Sequence, residues 1–153
     1  MHCRARLSRR SRNRIMQTFL PYKSFEKSAR CLDYRRLGKQ RVEAYQILRV
    51  LEGKSTGWCS HPAVLMWKDH EDSLREYMAE MIFEWVRRGY RNTMKVPNIV
   101  WRKNPPSWLT SKFIRAHRSN LVRKDPKFYS KYKWGVGGSL PYVWPIRIGE
   151  KHG

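Results

Sequence analysis

Two carboxylates stand alone among cations at the start of a long helical pattern. In DYRRLGKQRVE, Asp33 and Glu43 are the only acids between Glu26 and Glu52, and Arg35, Arg36, Lys39 and Arg41 surround them. Neighbouring positive charge favours the ionised form, so both are expected to be carboxylates at neutral pH. Asp33 directly precedes the helical pattern and reads as its N-cap, accepting from a free N–H of the first turn. Glu43 shares a stripe with Arg36, Gln40 and Ile47 that borders the apolar face. A carboxylate in that position must be paired or used. It is either the ionic partner of Arg36 or Lys39, or a group for acid–base chemistry.

The remaining chemistry-bearing residues are scattered. Five histidines occur, none at metal-ligand spacing, so no metal and no cofactor are expected. His61 reads as a helix cap or a nucleic-acid contact, and His117 as a satisfied core histidine or a contact to substrate. Cys3, Cys31 and Cys59 make an odd count without a C-x-x-C pair, which suggests reduced thiols, with Cys31 packed in the interior. WGVGGS, residues 134–139, lacks the Lys-Ser/Thr ending and the strand–helix context of a phosphate loop.

The elements that must position these groups follow from caps and periodicity. Residues 1–15 carry six Arg and no acid, and read as a basic disordered arm, an organelle-targeting leader, or a segment ahead of a true start at Met16. An extended aromatic entry follows, kept from being helical by Pro21. The first long helix runs from the Asp33 cap to about Glu52, closed by Gly53, with Leu37, Ala44, Ile47, Leu48 and Leu51 on its core face. Pro62 opens a short helix. Leu74, Tyr77, Met78, Met81, Ile82, Trp85 and Val86 then mark a second long helix that ends at Gly89. Thr110 or Ser111 caps a third, through about Lys124, with Phe113, Ile114, His117 and Leu121 sharing a face, and Pro126 stops it. The expected fold is mostly α, a single compact domain of about three principal helices with an aromatic extended C-terminal tail. Residues 16–148 form the helical domain and 149–153 a terminal tail.

Thirty-three Lys plus Arg oppose twelve Asp plus Glu, a formal charge of +21 on 153 residues. Such an imbalance implies a polyanionic partner, and no apolar run approaches a membrane span of roughly twenty residues. Between Lys95 and Ile148 twelve Lys or Arg are interleaved with nine aromatics and one acid. Cations neutralise phosphates and rings stack on unpaired bases, so Arg115, Arg118, Arg123, Lys124, Lys127 and Lys131 are candidate phosphate contacts. A soluble intracellular protein, cytoplasmic and nucleoid-associated, fits this balance, with organelle targeting by the arm left open.

Starting from Met16, the order of extended entry, basic helix, second helix ending RRGY and aromatic tail resembles the pyrimidine-dimer DNA glycosylases of the phage endonuclease V type. FEKSARCLDYRRLGKQRVEA, GWCSHPAVLMW, RAHRSNLVRKDPKFY and LPYVWP are similar to short bacterial proteins of that superfamily, over most of residues 16–146. The resemblance implies an all-α, single-domain enzyme, expected to be monomeric, that kinks damaged double-stranded DNA, extrudes a base and needs no cofactor. In the phage enzymes the amine of the residue after the initiator Met attacks the anomeric carbon, and a Schiff base leads to strand cleavage. A nearby Glu on the first helix assists.

Carried over in gap-free register, the attacking residue corresponds to Gln17, where the phage enzymes have Thr, and the assisting Glu falls on Gly38. Glu43 or Asp33 would have to substitute. The candidate amines are therefore those of Met16, Gln17 or Lys39, the last a lysine whose pKa its cationic neighbours should lower. Arg35, Arg36, Arg41, Arg118, Arg123 and Lys124 are expected to hold phosphates, Gln40 to bond an extruded nucleotide, and His61, His117 and Asn120 to touch the lesion or backbone. Two rival classes remain: a non-catalytic nucleic-acid-binding protein, RNA- or ribosome-associated, and an enzyme that modifies nucleic acid by other chemistry.

Overall fold

A computed structural model describes residues 16–101 and 104–145; the basic arm and the terminal tail lie outside the described residues. Those described are mostly helical, with no strand among them. The helices are α1 (Phe25–Cys31), α2 (Tyr34–Leu51), α3 (Pro62–Trp67), α4 (Glu71–Arg87), α5 (Ser111–Lys124) and α6 (Pro126–Tyr129), followed by a single 3-10 turn, Ser130–Tyr132. The three long elements are those expected. The short α1 was not anticipated, because FEKSARC is too brief to display a helical period.

Local signals explain the boundaries. Ser24 accepts from the Lys27 N–H at 3.1 Å and Asp33 from the Arg36 N–H at 3.3 Å, capping α1 and α2. His61 caps α3 through Nδ1, which accepts from the Ala63 N–H at 3.0 Å, and Pro62 follows in the first turn. Thr110 and Asp125 do the same for α5 and α6. The chain leaves α4 at Gly89, whose φ of 88° a side chain would strain.

α2 packs against α4, and α1 packs against α4 as well. Leu37, Ala44 and Ile47 of α2 meet Leu74, Tyr77, Met78 and Met81 of α4, with Trp67, Phe113 and Leu121 closing the core. The core stripe of α4 ends a turn earlier than its periodicity suggests: Val86 is 53 % exposed and Trp85 only partly buried. Gly38 is the reason Trp85 can pack so closely on α2. A Cβ there would stand 2.9 Å from the indole, while the Arg41 guanidinium lies over the same ring, 4.1 Å from its centroid.

Candidate active site

Ahead of α1, residues 16–20 run without regular structure through the interior, and all five are buried. A stretch of irregular backbone in a helical core needs partners for its N–H and C=O groups, and three helices supply them. Gln40 of α2 does most: Nε2 donates to the Gln17 carbonyl at 2.7 Å, and Oε1 accepts from the Phe19 N–H at 3.1 Å. Tyr77 of α4 faces the same peptide, its hydroxyl 2.9 Å from the Phe19 carbonyl and 2.6 Å from Gln40 Oε1. Burial pushes the Tyr77 phenol well above its ordinary pKa, so it stays a donor. His117 Nδ1 of α5 accepts from the Leu20 N–H at 3.0 Å, and Trp67 Nε1 donates to Thr18 Oγ1 at 3.1 Å.

This scaffold delivers the backbone nitrogen of Gln17 to a carboxylate. The Gln17 N–H donates to Glu43 Oε2 at 3.0 Å, and Glu43 is only 1 % exposed. Gln40 Nε2 approaches the same oxygen at 3.3 Å, and Lys39 Nζ sits 3.5 Å from Oε1. Glu43 is therefore a buried carboxylate with a cation at its outer edge and a main-chain nitrogen at its inner one.

Above it opens a cleft of about 680 Å³. Gln17, Gln40 and Glu43 form the floor; Arg35, Arg36, Lys39 and Lys124 supply positive charge, and Tyr34 and Phe128 supply rings. Asp33 lies in the wall, its carboxylate bonded by the Arg36 guanidinium at 3.0 Å and by the Tyr129 hydroxyl. Burial alone would raise the Asp33 pKa, but the hydrogen bonds from Tyr129 and Arg36 outweigh it and hold the group below its usual value. Asp33 thus caps and anchors, as its position before α2 suggested.

The structure brings Gln17, Lys39, Gln40, Glu43, Arg35, Arg36 and Lys124 together at one cleft and disperses the other candidates. The other candidates have different surroundings. His117 is fully buried, its ring 4.0 Å from that of Phe113, and burial lowers its pKa to about 3, so it is a neutral core group. His61 caps α3, packed edge-on against Trp58 and Trp144. Arg118 donates to the Pro21 carbonyl at 2.7 Å and lies over Tyr22. Arg123 donates to the Gly138 and Leu140 carbonyls at 2.9 and 3.1 Å and to Asn120 Oδ1 at 3.1 Å, tying WGVGGS onto α5. Arg41 is turned to Asn92 and Trp85, away from the cleft. Gln40 reaches the floor with both ends of its amide committed to protein partners, which leaves no free group for an extruded nucleotide. Met16, 1 % exposed, is a core side chain.

Lys39 does not stand as an isolated amine, because Glu43 is its ionic partner. Burial first, and then Arg36, Lys39 and Arg123, lower the pKa of Lys124. Cys31 is buried, its thiol pushed up to about 12 by burial, and is inert at neutral pH. Sequence reasoning missed Tyr77 and Tyr129 as polar anchors. A tyrosine within a buried stripe was the available signal, since an interior phenol needs a hydrogen-bond partner.

No helix among the described residues is long and apolar enough to cross a membrane. Residues 16–98 match the family model described as pyrimidine dimer DNA glycosylase, a span that begins at the buried entry and ends after α4. No curated protein and no solved structure matches the chain.

Proposed function

This chain belongs to the pyrimidine dimer DNA glycosylase family, and we propose that it excises damaged pyrimidines from duplex DNA and then cuts the abasic strand, at the cleft above Gln17 and Glu43. The observation that carries this reading is the 3.0 Å approach of the Gln17 nitrogen to a carboxylate buried beneath cations. A peptide nitrogen is not a nucleophile, because its lone pair is delocalised into the carbonyl. An α-amine at the same place is one, with a pKa of about 8 that leaves free base at neutral pH.

In this scheme the amine nitrogen bonds to C1′ of the deoxyribose as the glycosidic bond breaks. Glu43 takes one amine proton and passes it to the departing base, and the second goes to O4′ as the sugar ring opens to an imine. Glu43 then accepts the C2′ proton as the 3′ phosphate is expelled, and water frees the amine. Arg35 and Arg36 hold flanking phosphates at the rim.

Which amine acts depends on where the mature chain starts. A terminus at Gln17 puts the amine on Glu43 but removes the buried Met16 side chain, a loss on the order of 2–5 kcal/mol for a core methionine cut back to a small residue. A terminus at Met16 keeps that anchor and places the amine one residue upstream. The test compares the full chain with forms beginning at Met16 and at Gln17, on ultraviolet-irradiated and untreated supercoiled plasmid, with borohydride capture of the covalent intermediate. Irradiation-dependent nicking with capture by a shortened form is expected. Salt-sensitive binding without nicking by every form would leave a basic nucleic-acid binder and overturn the proposal.

A further inference from the structure

Two lysines line the cleft, and their surroundings differ. Lys39 is 3.5 Å from Glu43 and balanced by it. Lys124, at the end of α5, makes no ion pair among the described residues; Arg36 and Lys39 across the cleft and Arg123 beside it are the cations that act on it, and Glu43 is the acid. Partial desolvation and that crowd of positive charge lower the Lys124 pKa and so enlarge its free-base fraction. A primary amine in no ion pair among the described residues, a buried carboxylate and neighbouring cations in one cleft are the set required for imine chemistry at an aldehyde.

We propose that Lys124 is a second imine-forming amine of this cleft, able to cut abasic-site DNA while the nitrogen of Gln17 is still tied up in a peptide bond. The proposal rests on the reading of the cleft given above. The Lys124 nitrogen bonds to C1′ of the ring-opened abasic sugar, and the aldehyde oxygen leaves as water. Glu43 accepts the C2′ proton, the 3′ phosphate is expelled, and water releases the lysine. Abasic-site cleavage would then be open to the uncut chain, whereas base excision would still need the α-amine.

The test uses the full chain, its intact mass verified, with a duplex bearing one abasic site, borohydride reduction and peptide mapping of the adduct. The expected adduct lies on Lys124, and Lys124→Arg, which keeps the charge but cannot form an imine, lowers capture by at least about tenfold. Binding of a duplex carrying a non-reactive tetrahydrofuran site should change by less than about threefold in the same variant, showing that the fold and the cleft survive. An adduct on another amine, or undiminished capture by Lys124→Arg, overturns the assignment. Irradiated plasmid separates the two levels: if a shortened form nicks it and Lys124 carries no adduct, only the second amine is lost. If no form nicks it and nothing is captured, both readings fall.

Discussion

The main-chain N–H of Gln17 donates to Oε2 of Glu43 at 3.0 Å across 26 residues of sequence. Its neighbours make the contact rigid, because Gln40 holds the Gln17 carbonyl at 2.7 Å with the same amide group that approaches Glu43. The Gln17 nitrogen and the Glu43 carboxylate are thereby registered by one side chain on the helix turn before Glu43.

Glu43→Gln should separate chemistry from folding. The neutral amide still accepts from Gln17, so the urea midpoint should move little. A lost general base should lower incision of irradiated plasmid by roughly 10²–10⁴-fold. Gln40→Ala is the counterpart: it strands the Gln17 carbonyl in the interior and leaves the Phe19 N–H with the Tyr77 hydroxyl alone, and a stability loss on the order of 1–3 kcal/mol is expected by denaturant titration.

The cations are expected to sort by position. Arg35 is exposed at the cleft and pairs with no acid among the described residues, so Arg35→Ala should weaken binding to any duplex and flatten the log–log salt dependence by about 0.9. Arg123 is engaged with the Gly138 and Leu140 carbonyls. Arg123→Ala should leave that slope unchanged and instead expose residues 137–140 to protease.

Acid stability should report Asp33. Its carboxyl is held below the ordinary value of 3.8, where hydrogen bonds from Tyr129 and Arg36 outweigh burial. A depressed folded-state pKa contributes stability that is complete above the unfolded value and disappears as pH falls through the folded one. Asp33→Asn should therefore lower the urea midpoint at pH 7 and lose the part of the wild-type decline that falls below pH ~4.

Gly38→Ala should destabilise although Ala is the better helix former by about 1 kcal/mol. Its Cβ would stand 2.9 Å from the Trp85 ring, and overpacking of that kind costs roughly 1–3 kcal/mol. A lower melting temperature is expected; a higher one would mean that Trp85, partly exposed, swings away without penalty.

The sequence by itself determined the three long helices and their caps and made a polyanion the expected partner, since these depend on spacing, on side chains a few residues apart, and on summed charge. Asp33, Thr110 and Gly89 mark their boundaries through contacts with near neighbours, and Glu43 could be singled out because a carboxylate on a core-bordering stripe cannot be idle. The choice among cations was beyond it. Arg35, Arg118 and Arg123 are alike in composition, yet one meets the cleft and the others meet carbonyls of Pro21, Gly138 and Leu140. Register with a family motif put a glutamate at Gly38, a site that Trp85 fills from another helix. Only tertiary packing decided that residues 16–20 are buried, that Gln17 faces Glu43 and that Lys124 crosses to the same cleft, because each contact joins segments whose separation in sequence carries no local signal.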